Sequence, residues 1–371
     1  MNILILSCNT GGGHNAAANA LAEEILSHGD TATVLDYFCL ADSRISHTVG
    51  NVYVEIVKKV PALFGFIYQL GMFVSRLVPK SPVYYTNGKM ARYLASYLSK
   101  HPADAIVMPH LYPAETLTYM KRHNMPIPPT VAIMTDYTCI PFWEETDCDY
   151  YIVPDASLIP SIVKRGIAQE KLLTLGIPVS PRFSADISKA EARKQLSLPA
   201  DGTCLLVAGG SMGAGHLLSF ARQLLRATTS EQILLIAGND EHLEHRLKDT
   251  FAHENRIRVI GFTAQMPLYM KACDLLFTKP GGLTSTEAAV CGIPLVHTDP
   301  IPGCETQNRR FFFSRGMCTT GKTADAQISR GLSLCHDASA AQKMVERQKN
   351  GIRQDSAHAI YELLYKLTQQ S

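Results

Sequence analysis

Short apolar runs alternate with stretches of helical periodicity through nearly the whole chain. The runs cover residues 2–7, 32–35, 105–108, 130–134 and 150–153 in the first half, and 203–208, 232–237, 256–260, 274–277 and 294–297 in the second. They are continuously apolar, which is typical of strands buried on both faces of a parallel sheet. Helices between successive strands provide the crossovers that parallel strands need. The pattern therefore predicts an α/β protein with doubly wound parallel sheets.

A linker separates the two halves of this pattern. Residues 176–189 read GIPVSPRFSADISK, with two prolines and no periodicity, before a new helix and strand begin. Such composition is typical of an interdomain segment, and 371 residues exceed the usual size of one domain. We predict two domains, 1–178 and 179–371. A final helix is predicted over 355–369. Its apolar face could pack on either domain, so the helix could return to the N-terminal domain.

One segment departs from the pattern by its charge. Residues 56–103 contain no acidic residue but seven lysines and arginines around a run of large apolar side chains. An anionic bilayer surface attracts such a segment. Two interpretations stay open, contact with a membrane or an inserted helical pair packed on the sheet with a solvated basic rim. The candidate membrane-contacting residues are Lys58, Lys59, Phe64, Phe66, Phe73 and Arg76.

Composition excludes several classes of protein. The net charge is +2, from 35 basic and 33 acidic residues, so we expect no nucleic-acid partner. The ten cysteines include no CxxC pair, which favours reduced thiols in the cytosol. The charge-free run over 60–75 is shorter than the roughly 20 apolar residues that cross a membrane. The first residues predict a strand rather than a signal peptide.

Three glycine-rich loops each follow a strand and precede a helix. They are CNTGGGH at 8–14, AGGSMGAGH at 208–216 and TKPGGLTSTE at 278–287. Glycine lets the backbone approach a ligand closely, and a helix N-terminus offers unpaired N–H groups to phosphate oxygens. The first loop does not match GxGxxG, so it lacks the dinucleotide fingerprint. The second loop could also be a tight packing turn without a ligand.

Polar side chains in and near these loops are candidates for chemistry. His14 ends the first loop, at a strand end where a general base would act, although it could be a surface histidine at a helix N-terminus. Asp136 follows another strand and could orient a base or an acceptor hydroxyl. Thr284 and Ser285 could cap the third helix. Glu287, expected in its first turn, would then serve the helix dipole or accept hydrogen bonds from ribose hydroxyls.

Three further patterns carry less weight. GMCTTGKT at 316–323 matches the P-loop expression, but we interpret it as coincidental because the sequence after it is helical throughout. Asp147 and Asp149 form a DxD pair that could bind a metal, although Asp149 directly precedes a strand. His242 and His245 have no third ligand at a suitable spacing, so we expect them to be surface residues.

Taken together, four motifs resemble the monogalactosyldiacylglycerol synthase and processive diacylglycerol glucosyltransferase family. They are GGGH at 11–14, GGSMGAGH at 209–216, KPGGLTSTEAAVCGIPLV at 279–296 and PIPGCETQN at 300–308. The resemblance implies the GT-B fold, in which two Rossmann-like domains face a central cleft. The N-terminal domain would bind the acceptor and associate with the membrane, and the C-terminal domain would bind the UDP-sugar donor.

The same resemblance implies an activity. It is an inverting transfer of a hexose from a UDP-sugar to a lipid hydroxyl, of diacylglycerol or glycosyl-diacylglycerol, in glycolipid synthesis, with no cofactor or metal required. The partners would be the UDP-sugar, the lipid acceptor and an anionic membrane surface, with the protein cytoplasmic and peripheral on the inner face of the cell membrane. The alternatives are a UDP-sugar epimerase or hydrolase on the same fold, or a non-catalytic nucleotide-sugar binding protein.

Matching positions receive roles by the resemblance. His14 matches the catalytic base and Asp136 the acid of the family's TD motif, while Trp143 would contact the acceptor or membrane. The loop glycines Gly11, Gly12 and Gly13 would face acceptor or phosphate. The donor-binding residues would be Gly209, Gly210, Ser211, Gly213, Phe262, Gly281, Gly282, Leu283, Thr284, Glu287, Glu305 and Asn308.

Two positions depart from the family's pattern. The family commonly has a histidine between the TD motif and the tryptophan, whereas YTCIPF at 137–142 contains none. The usual PGQEE reads PGCET, so Cys304 and Thr306 replace polar groups that would face the donor sugar. Both changes bear on which sugar and which acceptor the protein uses.

Overall fold

The computed structural model describes residues 1–8, 12–42, 61–77, 80–209 and 217–369. The chain divides into two compact units. Unit 1 comprises Met1–Pro181, Pro302–Cys304 and Asp355–Ser371, and unit 2 comprises Arg182–Ile301 and Glu305–Gln354. The division near residue 181 lies in the proline-containing segment 176–189.

Unit 1 contains a six-stranded parallel sheet with the order β2-β1-β3-β4-β5-β6. Its strands are β1 Asn2–Ser7, β2 Thr31–Asp36, β3 Ala105–Met108, β4 Thr130–Ile133, β5 Tyr150–Ile152 and β6 Leu172–Leu173. Its helices are α1 Gly12–Ser27, α2 Pro61–Leu77, α3 Pro82–Gly88, α4 Ala91–Lys100, α5 Leu111–Arg122, α6 Ile159–Val163 and, at the end of the chain, α15 Ser356–Gln369. Because α15 packs against α1, the chain returns to unit 1 after completing unit 2.

Unit 2 repeats the architecture with the order β12-β11-β10-β7-β8-β9, also parallel. Its strands are β7 Cys204–Ala208, β8 Gln232–Ile236, β9 Ile257–Ile260, β10 Leu275–Thr278, β11 Leu295–His297 and β12 Thr319–Thr320. Its helices are α7 Lys189–Gln195, α8 Leu217–Ala227, α9 Glu241–Thr250, α10 Met266–Ala272, α11 Gly282–Cys291, α12 Cys304–Ser314, α13 Ala324–His336 and α14 Ala338–Gly351.

Burial on both faces explains the continuously apolar strands. In β1, Ile3 and Ile5 pack in one hydrophobic cluster with side chains of α1 and α15, whereas Leu4 and Leu6 belong to a second cluster with α4 and α5. Each fully buried side chain of this size contributes about 1.5–3 kcal/mol. The helical layers on both faces confirm the predicted α/β class.

Most predicted strands occur within one or two residues of their predicted bounds. The missed strands, β6 and β12, contain two residues each at sheet edges. One predicted cap is wrong. Helix α11 begins at Gly282 with Gly281 at its N-cap, so Thr284 and Ser285 lie inside the helix. The Ser285 hydroxyl instead lies 2.9 Å from Nε2 of the buried His297.

The basic segment 56–103 folds as helices α2, α3 and α4 in its described part, while Lys58 and Lys59 lie outside the described residues. Helix α2 is held to unit 1 by Arg165, whose guanidinium donates to the Cys139 carbonyl at 2.6 Å and to both oxygens of Glu144 at 2.7 and 2.8 Å. It also donates to Ser75 of α2 at 3.3 Å. Among the described helices, none has the length and apolarity needed to cross a bilayer.

A buried carboxyl group lies where α3 packs against α5. The Glu115 side chain is fully buried, accepts a hydrogen bond from the amide of Asn87 and leaves its Oε1 atom without a partner. Burial raises the pKa of Glu115 to about 8, because the charged form is poorly solvated there. This carboxyl group therefore keeps its proton at neutral pH.

Candidate active site

The carboxyl ends of three neighbouring strands, β1, β3 and β4, meet around His14. This histidine is the third residue of α1, which follows β1. Its Nδ1 atom lies 2.8 Å from the carbonyl oxygen of Pro109, after β3, and 3.1 Å from the hydroxyl of Thr135, after β4. Strand order thus brings together three segments that lie far apart in sequence.

The contact with Pro109 determines the tautomer of His14. A carbonyl oxygen only accepts hydrogen bonds, so Nδ1 carries the proton and Nε2 of the neutral ring has a lone pair. Burial lowers the pKa of His14, while the Asp136 carboxylate and the bond to Pro109 oppose that shift. The ring is therefore a neutral base with an adjacent acid that stabilises its protonated form.

Sequence reasoning missed His110, a second histidine beside the first. The two rings form an edge contact with centroids 4.5 Å apart, and Nδ1 of His110 accepts the backbone N–H of Tyr112 at the start of α5. Burial and the neighbouring His14 lower the pKa of His110 well below its usual value. The sequence signal for His110 was its position just after β3, because any polar residue that follows a strand at this edge of the sheet is a candidate for the site.

The first glycine loop is described in part. Gly12 and Gly13 are the first two residues of α1, whereas Gly11 lies outside the described residues. The start of the helix is tied to the sheet by the Ser7 hydroxyl, which donates to Asn15 at 2.6 Å. This bond helps to hold His14 at the strand ends.

In unit 2, Glu287 is the most distinctive of the predicted donor-binding residues. It lies in the second turn of α11 rather than the predicted first turn, so the helix dipole does not explain it. Burial raises its pKa to about 7. Among the described residues its carboxylate has no hydrogen-bond donor and no cation as a partner, although the side chain is partly exposed. A partly exposed acid without a partner can accept hydrogen bonds from a ligand.

The residues around Glu287 have different environments. Gly282 and Leu283 are buried in the first turn of α11, and Thr284 is half-buried. Gly281 has open space where a side chain would start. A backbone turn at Gly281 could therefore contact a ligand directly.

A cavity of about 200 Å³ lies at the carboxyl ends of β7 and β10. Its lining includes Gly209, Lys279 and Asp299, together with Leu217 and Gln327 from the helices beside it. Lys279 directly follows β10, and its positive charge can attract an anionic ligand to this end of the strand. Sequence reasoning did not assign Lys279, although its place before Pro280 in the third loop was a signal.

Gly209 is the one glycine of the second loop that the structure describes. The N–H group of Gly209 donates to the Ile236 carbonyl at 3.2 Å, continuing the β7–β8 ladder. This amide is therefore used within the sheet. The predicted phosphate contacts of Gly210, Ser211 and Gly213 stay predictions, because these three residues lie outside the described part of the chain.

The remaining predicted donor residues occupy three environments. Phe262, after β9, is 72% exposed. Glu305, in the first turn of α12, accepts the backbone N–H of Ile301 at 2.6 Å and so helps to order the preceding turn. Asn308 is fully buried. Of the three, Phe262 has the surface needed to meet a ligand, while roles for Glu305 and Asn308 stay predictions.

Helix α2 exposes an apolar face. Phe66, Ile67, Leu70 and Phe73 are between 46% and 65% exposed and recur at helical spacing on one side of α2. The side chains of Phe64 and Arg76 are outside the described part of the chain. Exposed patches of this kind mark interaction sites on soluble domains.

Trp143 requires a correction. It is 3% exposed and lies in the core of unit 1, with its ring 6.2 Å from that of Tyr151. The prediction that Trp143 contacts the acceptor or membrane is therefore wrong for this structure. Its apolar ring packs in a cluster with side chains of the sheet, such as Met108, and of α5, such as Leu117.

The lesser patterns have structural explanations. The P-loop match at 316–323 contains β12 and ends at Thr323, which caps α13, so it does not form a loop after a buried strand. Asp147 and Asp149 both pair with Lys121, and Asp147 also pairs with Lys171. All ten cysteines are free thiols.

Comparison with known proteins identifies the family. The family model described as monogalactosyldiacylglycerol (MGDG) synthase matches residues 14–179, and that of glycosyl transferases group 1 matches residues 209–351. A probable chloroplastic monogalactosyldiacylglycerol synthase 2 of Oryza sativa subsp. japonica is 30% identical over 354 residues, covering 89% of this chain and 73% of the relative. The chain belongs to the monogalactosyldiacylglycerol synthase family.

Bacterial relatives of the monogalactosyldiacylglycerol synthase family match more of the chain. A processive diacylglycerol beta-glucosyltransferase of Bacillus pumilus is 25% identical over 362 residues, covering 97% of this chain and 93% of the relative. Its counterpart in Staphylococcus carnosus is 27% identical over 355 residues, covering 94% and 88%. The resemblance inferred from the four motifs is confirmed.

Solved structures show that the fold is GT-B. MurG of Acinetobacter baumannii aligns with a TM-score of 0.64 at 15% identity, covering 98% of this chain and 99% of that one. A putative UDP-N-acetylglucosamine 2-epimerase from Listeria monocytogenes aligns at 0.63 and 12% identity, covering 100% and 98%. Anabaena Alr3699/HepE, solved in complex with UDP, aligns at 0.53 and 15% identity, covering 100% and 98%. Transferases and an epimerase share this fold, so the fold alone does not choose between those activities.

Proposed function

We propose that this protein transfers a hexose from a UDP-sugar to a hydroxyl group of diacylglycerol or glycosyl-diacylglycerol, with inversion at the anomeric carbon. The observation that carries the proposal is the neutral His14 ring, whose Nδ1 atom is occupied by Pro109 and whose pKa is influenced by Asp136. A lipid acceptor requires a base to activate a hydroxyl group. The names of the relatives, diacylglycerol glucosyltransferases and galactosyldiacylglycerol synthases, supply the class of acceptor.

The reaction then follows from the residues. Nε2 of His14 takes the proton of the acceptor hydroxyl as its oxygen attacks the anomeric carbon. The bond between that carbon and the diphosphate oxygen breaks, and UDP leaves with the electron pair. The Asp136 carboxylate stabilises the imidazolium that forms, as an acid beside a catalytic histidine does.

The donor would bind in unit 2. Glu287 would accept hydrogen bonds from the ribose hydroxyls, and the backbone of Phe262 would contact the uracil. The Lys279 ammonium and backbone amides near the third loop would stabilise the negative charge that develops on the departing diphosphate. With these groups supplying the positive charge, the proposed reaction requires neither a metal nor another cofactor.

We also propose that the protein acts at the inner face of the cell membrane as a peripheral enzyme. Phe66 and Phe73 of α2 would enter the interfacial region of the bilayer, where exposed aromatic rings are stabilised. Basic side chains of the 56–103 segment would be attracted by anionic lipids at about 1 kcal/mol each. The membrane would thus bring the enzyme to its acceptor.

One assay separates the proposed function from its alternatives. The full chain is incubated with labelled UDP-glucose, UDP-galactose or UDP-N-acetylglucosamine and with phospholipid vesicles that contain diacylglycerol. The products are identified by mass spectrometry. A glycosyl-diacylglycerol supports the proposal. An isomerised or hydrolysed donor without a lipid product supports the epimerase or hydrolase, and the absence of any turnover supports a binding protein.

Membrane contact is tested by flotation with vesicles that contain anionic lipid. The double variant Phe66→Ser and Phe73→Ser should lose at least half of the bound fraction. Phe313→Ser, which changes a 50% exposed ring on α12 of unit 2, is the matched control and should bind like the unaltered protein. Equal binding by all three proteins would contradict the role of α2.

A further inference from the structure

Three side chains suited to metal ligation meet where α1 packs against α15 in unit 1. Glu24 lies in the last turn of α1, His28 follows one turn later, and His358 lies in the first turn of α15. The Oε1 atom of Glu24 is 3.0 Å from Nε2 of His28 and 2.9 Å from Nδ1 of His358. The three atoms all lie within 4.8 Å of one another.

The surroundings hold one of these ligands in place. The His28 ring stacks on Tyr361 of α15, with centroids 4.0 Å apart and planes at 11°. The Tyr361 hydroxyl in turn donates to Asp30 at 3.0 Å. Stacking together with this hydrogen bond fixes the plane of His28, as supporting contacts do around metal-binding histidines.

We propose that Glu24, His28 and His358 form a site for a divalent transition metal of the Zn²⁺ class. Two imidazole nitrogens already converge on a single carboxylate oxygen. Zinc bonds of about 2.0–2.2 Å to nitrogen and oxygen would place the three ligand atoms about 3.4 Å apart, so each nitrogen needs to move only about 0.5 Å away from the Glu24 oxygen. Two imidazoles and a carboxylate are ligands that zinc and its neighbours in the periodic table prefer.

Solvent access supplies the remaining ligand position. The Glu24 side chain is 13% exposed, whereas His28 and His358 are 35% and 50% exposed. Water can therefore complete a tetrahedral shell from the outside. On binding, the metal takes the place of the N–H protons that Nε2 of His28 and Nδ1 of His358 direct at Glu24, and each neutral ring then carries its proton on its other nitrogen.

The site is distinct from the proposed reaction centre. His14 and His28 are separated by 14 positions, most of them in α1, which corresponds to about 21 Å of helix. The metal would link α15 to α1 and so fasten the returning end of the chain to unit 1. The expectation that glycosyl transfer requires no metal is unaffected.

Binding is tested by calorimetric titration of ZnCl₂ into the full chain after removal of metal with a chelator. Every protein carries Cys39→Ser, because Cys39 is exposed and an exposed thiol can bind zinc on its own. The parent should bind one zinc ion more than His358→Ala or Glu24→Ala. His245→Ala, which removes an exposed histidine of α9, is the matched control and should keep the parent's stoichiometry.

Thermal unfolding gives a second readout. Saturating ZnCl₂ should raise the Tm of the parent and of His245→Ala by about 3 °C or more, and should leave that of His358→Ala unchanged. If His358→Ala is unfolded, His358→Gln, which can still donate to Glu24, replaces it. Equal stoichiometry and equal Tm shifts in the parent and the ligand variants would overturn the proposal.

Discussion

The Nδ1 atom of His14 lies 2.8 Å from the carbonyl oxygen of Pro109, which leaves Nε2 as the nitrogen that can accept a proton. Replacing His14 by alanine should therefore lower kcat by about 10²–10⁴-fold, the usual contribution of a general base. The affinity for UDP, measured by calorimetry, should change less than twofold, since donor binding is assigned to unit 2. His245→Ala is the control. Full turnover by His14→Ala would remove this residue from the mechanism.

Asp136 should control the pH dependence of the reaction. Its carboxylate opposes the lowering of the His14 pKa by burial, so Asp136→Asn should lower that pKa further. The acidic limb of the kcat/KM profile then moves to lower pH, while the maximum rate falls because the imidazolium loses its partner. Asp186→Asn, at an exposed position, should leave the profile unchanged. An acidic limb that moves to higher pH would contradict this account.

Glu287→Gln should weaken donor binding. A hydrogen bond from a ribose hydroxyl to a carboxylate contributes about 1.5–3 kcal/mol, so the KM for the UDP-sugar should rise about tenfold or more. Because the pKa of Glu287 in the free enzyme is about 7, the unaltered protein should also show an increasing KM below that pH. The variant should not show this increase. The exposed control Glu346→Gln should behave like the unaltered protein, and an unchanged KM in Glu287→Gln would exclude the ribose contact.

Glu115 should make the protein less stable as pH rises. Its folded pKa of about 8 exceeds the unfolded value of about 4.3, so between these values the folded state binds more protons than the unfolded state. Stability from this group therefore falls from pH 4 to pH 8. Relative to the unaltered protein, Glu115→Gln should gain about 3 kcal/mol in free energy of unfolding between pH 5 and pH 8. Urea unfolding at several pH values measures the difference.

Glu241→Gln provides the control for Glu115, because it makes the same substitution at an exposed position on α9 instead of between two packed helices. If the difference between Glu115→Gln and the unaltered protein were constant from pH 5 to pH 8, the carboxyl group would not retain its proton in the folded state.

Burial and hydrophobic patterning made much of the fold predictable. The continuously apolar runs at 2–7 and 105–108 became β1 and β3 with the predicted bounds. Strands β6 and β12 were missed because two residues at a sheet edge leave no detectable pattern. The strand-end rule led to His14 and Asp136, and applied to β3 it would also have led to His110.

Other features depend on distant contacts. Trp143 is buried by Tyr151 and the surrounding core, and a lone tryptophan in a polar stretch has no sign of this in the sequence. Glu115 follows Ala114 in an ordinary helical pattern, yet packing of α3 against α5 removes it from water. Glu287 lies one turn further into its helix than predicted, because the N-cap is Gly281 and not a hydroxyl-bearing residue.

The return of α15 to unit 1 affects how relatives can be recombined. Ile360 and Leu364 of this helix share a hydrophobic cluster with Ile3 and Ile5 of β1, so part of the covering of the unit 1 sheet is supplied by residues that follow unit 2 in the sequence. A chimera cut only near residue 181 would pair one relative's sheet with another relative's closing helix. An exchange of unit 1 between family members must therefore carry residues 355–369 along with residues 1–181.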